Sequence, residues 1–407
     1  MSGETDLPGA RLDALRAETA SRLAPLLRPA SEAAPVGVLG AGSDDLESGR
    51  AYLATLAGGG FAVPGWPAVH GGMGLDQAGA DVVRSVLAQF EAPDMYPFLV
   101  GLDLIGPTIL VHGSAEQQAR WLPPMRSGEE IWCQMFSEPD AGSDLAGLKA
   151  KAARDGDGWR VTGSKVWTSR AHYSKWGLLL ARHDPHVPKH KGITAFGIDM
   201  SAPGVTVRPL VQMNRDAHFN EVFLDDAWIP DTDRIGAAGE GWRVAITCLS
   251  FERGALGGEL GVKADQLQRL AAALPGGNAV AAVMRDEWAA CLADFRISQW
   301  SGLRAQESRR AGRPPGPEDS GSKLRGTALV KRIAALGMAV EGAAGTAALS
   351  AAGEGCAAGE WQSMFLMSPS LSIRGGTDQI QRNILGERVL GLPPEPRVDK
   401  DRPFSDR

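Results

Sequence analysis

Glu252 is a carboxylate whose neighbours suit it to proton transfer. It lies in the run Leu249–Gly254, between Phe251 and Arg253. Apolar surroundings, and the removal of water by a bound substrate, would favour its use as a general base. On helix rules alone the same residue is a solvated glutamate paired with a nearby arginine. The residue types leave both interpretations open.

Two further runs combine glycine with short polar side chains, namely Ser137–Asp144 and Ser372–Arg382. A short polar loop that ends in serine presents N–H and O–H donors to phosphate or ring oxygens. Thr377 is suited to cap a following helix, and a helix N-terminus also suits an anionic group. The structural alternatives are a turn before a hairpin for the first run and an ordinary capped helix for the second.

The composition is that of an ordinary globular protein with more than one core. The chain has 407 residues, 43% of them hydrophobic and 22% charged, which predicts two or three domains. Its formal net charge of -6 argues against non-specific nucleic-acid binding, which needs a basic face. No stretch reaches the ~18 apolar residues of a membrane span, and no secretory signal is visible.

The cysteines and histidines indicate no metal site. The four cysteines form no CxxC pair and are interpreted as reduced structural thiols of a cytoplasmic protein: Cys133, Cys248, Cys291 and Cys356. His183, His186 and His190 fall in a proline-containing segment that predicts a polar loop between strands. Gly40–Gly42 lacks the third glycine of a dinucleotide fingerprint, so a flexible loop is expected there.

The pattern of elements predicts an α+β multidomain protein. Residues 1–130 have helical spacing, with helices expected at Leu46–Leu56, Ala80–Phe90 and from Gly106. Residues 131–237 contain closely spaced short apolar runs and the turn signal Asp155–Gly158, which predict a small antiparallel β-barrel. Residues 238–407 return to helical spacing and predict a helical bundle, broken at Gly312–Ser322 by prolines.

These runs, together with Lys165–Ser169, resemble the acyl-CoA dehydrogenase family over nearly the whole chain. The resemblance implies FAD-dependent α,β-dehydrogenation of an acyl-CoA or acyl-carrier-protein thioester to the trans-2-enoyl thioester. Many members carry the catalytic glutamate just before the late Gly-Thr, where this chain has Gly375. A second group, which includes isovaleryl-CoA and long-chain enzymes, carries it on an earlier helix before an arginine. Glu252 has that position, which implies that it is the α-proton base and flavin N5 the β-hydride acceptor.

The resemblance also implies a set of binding residues. Trp167 would lie against the flavin and Ser169 near N5, while the backbone N–H of Gly375 would donate to the thioester oxygen. The implied cofactor-binding residues are Gln134, Met135, Phe136, Ser137, Ser143, Trp167, Thr168, Ser169, Thr377, Asp378 and Gln379. The implied substrate-binding residues are Ser143, Ser250, Phe251, Arg253 and Gly376. A glycine at 375 leaves room beside the α-carbon, so a branched or bulky acyl chain is expected.

Departures from the family pattern bear on assembly. The Arg-x-x-Phe-Gly run is not evident in Ala281–Arg296, and Gly342–Gly359 lacks the Gln-x-x-Gly-Gly-x-Gly order that contacts the cofactor diphosphate. Arg374 takes a position more often held by Tyr or Ala, and would either face solvent or recognise a carboxylate or phosphate. A homo-oligomer, dimer or tetramer, is expected, with a heteromer as an alternative. An electron-transfer flavoprotein is the expected electron acceptor.

Two other functions fit parts of the sequence. A flavin monooxygenase on the same fold would not need Glu252. A non-catalytic subunit of a heteromeric dehydrogenase would account for the missing diphosphate run. Fold resemblance alone does not decide among these functions.

Overall fold

The computed structural model describes residues 8–30, 44–256, 264–277, 279–310, 316–346, 357–396 and 401–406. The chain divides into two compact units, each described by itself below. The first comprises Met1–Gln212, Asp216–Ala255 and Pro396–Arg407, and the second Met213–Arg215 and Leu256–Glu395. The expected loop at Gly40–Gly42 lies outside the described residues. The division into three domains stays a prediction.

The first unit begins with helices, as expected. They are α1 (Pro8–Leu23), α2 (Leu46–Ala57), α3 (Gln77–Leu87), α4 (Tyr96–Leu99), α5 (Gly106–His112) and α6 (Ala115–Arg126). A π-helical stretch, Val100–Ile105, joins α4 to α5, so that the chain is helical from Tyr96 to His112.

Helix α3 begins and ends three residues earlier than its apolar spacing predicts. The Asp76 side chain accepts a hydrogen bond of 2.8 Å from the Gly79 backbone N–H. A side-chain acceptor at this point satisfies an N–H that has no partner within the helix, and so fixes the start. Local capping therefore decides the bounds more strongly than the spacing of apolar residues.

Eight strands form one sheet. They are β1 (Trp132–Met135), β2 (Lys151–Asp155), β3 (Gly158–Ser169), β4 (Trp176–Arg182), β5 (Ile193–Asp199), β6 (Val205–Leu210), β7 (Phe219–Pro230) and β8 (Arg234–Ile235). The strand order is β6-β7-β3-β2-β4-β5-β8, with β1 paired to β4. Pairing is antiparallel except where β1 and β2 meet β4 in parallel.

Each face of this sheet has its own apolar core. One core is drawn from six strands and includes Trp159, Phe196 and Val222. The other face packs against the helices through Leu178, Leu180 and the indoles of Trp121 and Trp132. The indole rings of Trp121 and Trp132 lie edge to face at 5.2 Å. Burial on both faces holds the ends of β1 and β3 in place.

Helix α7 (Gly241–Leu256) follows the sheet and lies almost wholly in the first unit. The helices of the second unit are α8 (Ala264–Ala273), α9 (Ala279–Arg310), α10 (Asp319–Glu341), α11 (Ala357–Met367) and α12 (Asp378–Ile384). Their core includes Leu270, Ile333 and Trp361. Part of the predicted break lies outside the described residues, and α10 begins at Asp319 within it.

The remaining expectations concern loops, thiols and metals. The three clustered histidines lie in the loop between β4 and β5, as expected. Cys133, Cys248 and Cys291 are free and buried. Across the described ranges, no cluster of three metal-ligating side chains occurs. Within the same ranges, no helix has the length and apolar character required to span a bilayer.

Candidate active site

Strand β1 ends in the segment expected to face a cofactor. The side chains of Met135 and Phe136 are buried in the two cores of the first unit. Only their backbone groups are therefore available to a ligand. Gln134 is half-buried, and its Nε2 donates to the Cys248 Sγ at 3.5 Å. This contact links the end of β1 to α7.

A buried ion pair fixes the loop that follows β1. Lys165, 0% exposed, donates from Nζ to Glu138 Oε1 at 2.7 Å and to the Phe136 carbonyl at 3.1 Å. Glu138 also accepts from the backbone N–H groups of Lys149 and Ala150. Burial lowers the pKa of Lys165, and the Glu138 carboxylate opposes that shift. The pair therefore ties β3 to the start of the Ser137–Asp144 loop and to the residues just before β2.

Trp167 lies on a bulge of β3. The pairing of β3 with β7 shifts register between Lys165 and Thr168, and Trp167 has φ of +60°. Its side chain is 54% exposed, with the Phe219 ring edge-on at 5.7 Å. A left-handed backbone at a large residue stores strain, and such strain is concentrated at functional sites. The bulge holds a flat aromatic surface away from the core.

The residues after Trp167 differ in their surroundings. Ser169 is half-buried, whereas Thr168 is completely buried. Thr168 Oγ1 has no hydrogen-bond partner among the described residues. Ser143, in the preceding loop, is exposed, and its neighbour Asp144 pairs with Lys189 Nζ at 2.8 Å. The structure therefore brings Gln134–Ser137 and Trp167–Ser169 together at one edge of the sheet, through the Val166 N–H to Ser137 carbonyl hydrogen bond of 2.9 Å.

Glu252 continues the inward face of α7. Val244, Ala245 and Cys248 on that face are buried, and Glu252 follows Cys248 after one turn. The pKa of Cys248 is raised to about 12, with burial as the largest cause and the charge of Glu252 as the second. Glu252 itself is half-buried. The carboxylate therefore lies on the same face of α7 as the Cys248–Gln134 contact.

Helix α5 packs against the same part of α7. His112 Nε2 lies 2.8 Å from Thr247 Oγ1, and hydrogen bonds from Thr108 and Gln134 oppose the rise in the pKa of Cys248. Burial, and next to it the charge of Arg243, lowers the pKa of His112. These polar contacts fix the rotation of α7 about its axis, and with it the direction of Glu252.

The other predicted residues of α7 lie around Glu252. Ser250 is exposed, and its Oγ donates to the Thr247 carbonyl at 2.7 Å. Phe251 is half-buried. The side chain of Arg253 lies outside the described residues.

In the second unit, two consecutive left-handed glycines precede α12. Gly375 has φ of +63° and Gly376 of +84°. The Gln381 Nε2 donates to the Gly375 carbonyl at 3.1 Å, and Thr377 caps α12 by accepting from the Ile380 N–H at 3.2 Å. A side chain is strained in either conformation, so glycine is dictated by the backbone at these positions.

Asp378 is held by intramolecular partners. It accepts from Lys323 Nζ at 3.0 Å and from Ser372 Oγ at 2.7 Å, and Ser372 in turn accepts from Lys331. Burial acts upward on the pKa of Asp378, but these hydrogen bonds hold it below its ordinary value. Gln379 is exposed and Arg374 half-buried. Of the three residues predicted here to contact the cofactor, Asp378 thus has its carboxylate committed to α10.

Sequence reasoning missed four residues of the site. Glu138 lies in the run Ser137–Asp144 and Lys165 in the run Lys165–Ser169, yet nothing in the sequence shows that the two side chains form a pair. Cys248 and His112 orient α7 through contacts with partners more than 100 positions away. The available signal was a lysine at an inward position of the alternating strand β3, after Trp159 and Val161, because a buried lysine needs a buried acid.

Comparison with protein families gives a consistent assignment along the chain. The acyl-CoA dehydrogenase N-terminal domain matches residues 40–129, the middle domain residues 133–227, and the C-terminal domain residues 239–390. The chain is 38% identical over 357 residues to the acyl-CoA dehydrogenase IpdE1 of Mycobacterium tuberculosis, covering 86% of this chain and 89% of that protein. This chain therefore belongs to the acyl-CoA dehydrogenase family of flavin-dependent oxidoreductases.

Two solved structures are similar over nearly their whole length. The Tcur3481-Tcur3483 steroid ACAD matches with a TM-score of 0.76 and 26% identity, covering 95% of this chain and 98% of that chain. The ChsE4-ChsE5 complex from Mycobacterium tuberculosis matches with a TM-score of 0.73 and 29% identity, covering 94% and 98%. The predicted family, the mixed helix and sheet architecture and the oxidoreductase activity are confirmed.

The residues of the first unit fit a flavin. The exposed indole of Trp167 on its strained bulge provides a flat surface for an aromatic ring system. Backbone groups of Gln134–Ser137 and the half-buried Ser169 supply donors and acceptors beside it. These are the groups that a planar ring with polar edges requires.

Proposed function

We propose that this chain uses FAD to dehydrogenate the CoA thioester of a bulky, ring-bearing acyl group to the trans-2-enoyl thioester. The observation that carries the proposal is the placement of Glu252 on the inward face of α7. It lies one helical turn from Cys248, which contacts Gln134 of β1. The description of a similar structure as a steroid ACAD supports a ring-bearing substrate, as does the glycine at 375.

In this proposal the Glu252 carboxylate takes the α-proton. FAD, when bound, supplies the acceptor for the β-hydride. The Gly375 backbone N–H donates to the thioester oxygen, which carries negative charge as the α-proton leaves. Trp167 and Ser169 hold the cofactor ring, and Thr377 and Gln379 are further proposed cofactor contacts. Ser143, Ser250, Phe251, Arg253 and Gly376 are kept as the proposed substrate contacts.

We further propose that the chain works beside a different subunit. One similar structure is described as a complex of two proteins, ChsE4 and ChsE5. This chain lacks the glycine-rich run that contacts the cofactor diphosphate in the family. A partner subunit that supplies those contacts would complete the FAD site. An electron-transfer flavoprotein is the proposed acceptor of the electrons.

The test is anaerobic reduction of the flavin by a panel of acyl-CoA thioesters. We expect bleaching of the flavin with ring-bearing thioesters and a loss of about 100-fold or more in Glu252→Gln, because general-base catalysis has that magnitude. Glu240→Gln is the matched control, since Glu240 precedes the same helix and pairs with Arg243. Equal rates in Glu252→Gln and wild type would overturn the assignment of the base.

The assembly is tested separately. The chain purified alone should retain little FAD and gain it when the partner subunit is added. One FAD bound per isolated chain, with full activity, would contradict the heteromeric arrangement and leave the dehydrogenase proposal in place. Bleaching without any thioester, or by short straight chains alone, would contradict the substrate class.

A further inference from the structure

Arg170 is a buried cation directly after the strand that carries Trp167 and Ser169. Arg170 is 2% exposed, and its backbone has φ of +54°. The Nε donates to Asp44 Oδ1 at 2.8 Å, and the guanidinium lies 4.4 Å from the centre of the Tyr96 ring. These contacts fix the plane of the guanidinium but leave its two terminal nitrogens, Nη1 and Nη2, without hydrogen-bond partners among the described residues.

Two neighbours of Arg170 carry matching buried atoms that lack hydrogen-bond partners in the described part of the chain. Asp94 accepts from the Tyr96 N–H through Oδ1, while its Oδ2 lies 3.8 Å from Arg170 Nη2 and accepts no hydrogen bond. Asn220 accepts from His172 through Oδ1, while its Nδ2 donates to no described residue. Leaving a buried polar group unsatisfied costs roughly 1–3 kcal/mol, so several such atoms around one residue indicate a site for a polar group.

The charges around Arg170 decide which polar group fits. One guanidinium faces two carboxylates, Asp44 and Asp94, and Tyr173 donates to Asp44 at 3.1 Å. The surplus of negative charge disfavours an anion. The free atoms comprise donors on Arg170 and Asn220 and an acceptor on Asp94. A hydroxyl group both accepts and donates, so it satisfies both kinds, whereas a keto group leaves Asp94 Oδ2 unsatisfied.

The helical stretch from Tyr96 to His112 connects this cluster to the catalytic region. Tyr96 lies against Arg170 at one end. At the other end, Thr108 hydrogen-bonds the Cys248 thiol, which is one helical turn from Glu252. Thr108 lies twelve positions after Tyr96, a span of at most about 18 Å at the α-helical rise of 1.5 Å per residue. A short chain attached at the thioester would end well before the cluster, whereas a ring-bearing acyl group directed along this helix would reach toward it.

We infer that Asp94, Arg170 and Asn220 form a subsite for a hydroxyl group at the end of the acyl group far from the thioester. The inference rests on the proposed function. It makes Arg170 a specificity-determining residue, because the hydroxyl accepts from Arg170 and donates to Asp94.

The experiment uses decalinylpropanoyl-CoA with and without one hydroxyl on the ring far from the thioester. With wild type, kcat/KM should be about 10-fold higher for the hydroxylated compound, as expected of hydrogen bonds to charged groups. In Arg170→Leu and in the isosteric Asp94→Asn this preference should fall to near 1. Arg160→Leu, which removes an exposed arginine of β3 paired with Asp155, should keep the wild-type preference.

The outcomes separate the subsite from the proposed function. If both compounds are dehydrogenated by wild type at equal kcat/KM, the subsite holds only an internal water and the inference is overturned. If neither compound bleaches the flavin, the proposed function fails with it. If Arg170→Leu does not fold, the wild-type preference and its loss in Asp94→Asn still decide the question.

Discussion

Glu252 lies one helical turn beyond Cys248, whose Sγ accepts a hydrogen bond of 3.5 Å from Gln134 at the end of β1. The thiol is therefore a fixed neutral contact between the sheet and the helix that carries the carboxylate. Since burial and the charge of Glu252 raise the pKa of Cys248 to about 12, this thiol stays protonated at neutral pH and does not compete as a base.

Removing the Lys165 charge should destabilise the first unit. Lys165→Met leaves the Glu138 carboxylate buried without its cation, and breaking a buried pair costs about 3–5 kcal/mol. The free energy of unfolding measured in urea gives the loss. Lys175→Met is the control, since its pair with Asp199 is only partly buried and should cost within about 1 kcal/mol. Equal losses in the two variants would contradict the prediction.

The contact between α5 and α7 should make stability depend on pH. The folded pKa of His112 lies below its ordinary 6.5, with burial the largest cause, Arg243 acting in the same direction and Glu240 opposing. The unfolded chain thus binds more protons between the two pKa values. The stabilisation that neutral His112 gives the folded state is fully present above about pH 6.5 and is lost as pH falls through the folded pKa. His112→Gln should flatten this part of the unfolding profile, and an unchanged slope would refute the assignment.

Trp167→Gly should separate folding from cofactor binding. Glycine adopts φ of +60° freely, so relief of strain offsets the lost contact with Phe219 in the flavin-free protein. The free energy of unfolding should change by less than about 1 kcal/mol, because the indole is 54% exposed. The dissociation constant for flavin, measured by fluorescence quenching, should rise at least roughly 10-fold through lost ring contact. Unchanged flavin affinity would show that the indole faces no cofactor.

Gly376→Ala should destabilise the second unit by about 1–3 kcal/mol. The residue has φ of +84°, and a Cβ would meet Gln381 Nε2 at 2.7 Å. Gly302→Ala in α9 is the matched control, because no atom lies near its Cβ position and the helical backbone favours alanine. Thermal unfolding should show a lower Tm for the first variant and an equal or higher Tm for the second.

The order of the elements could be predicted because it depends on local patterns. Helical spacing, the turn at Asp155–Gly158 and the residues around Glu252 are all visible within short windows. Helix α3 begins three residues before its predicted start, because the hydrogen bond from the Gly79 N–H to Asp76 outweighs the apolar spacing. The local sequence therefore predicts the fold class well but predicts the exact bounds of the helices and strands less well.

The contacts that shape the site could not be predicted because they join distant segments. The register shift that exposes Trp167 depends on the pairing of β3 with β7, and a single strand does not encode its partner. The Lys165–Glu138 pair depends on which strand face is turned inward. The sequence around Arg170 carries no signal for its burial beside Asp94, which depends on the packing of distant segments.

The π-helical turn at Val100–Ile105 makes chain length itself a determinant of the helix's two ends. A π-turn holds one residue more than an α-turn, and each helical residue advances the side chains by about 100°. Rewinding that turn as α-helix with no residue deleted would turn Tyr96 relative to His112 by roughly that angle. The helix could then face either Arg170 or α7 correctly, but not both. A relative with one residue fewer at this point would therefore keep both contacts with an uninterrupted α-helix, whereas one of equal length without the π-turn would have a differently arranged interior.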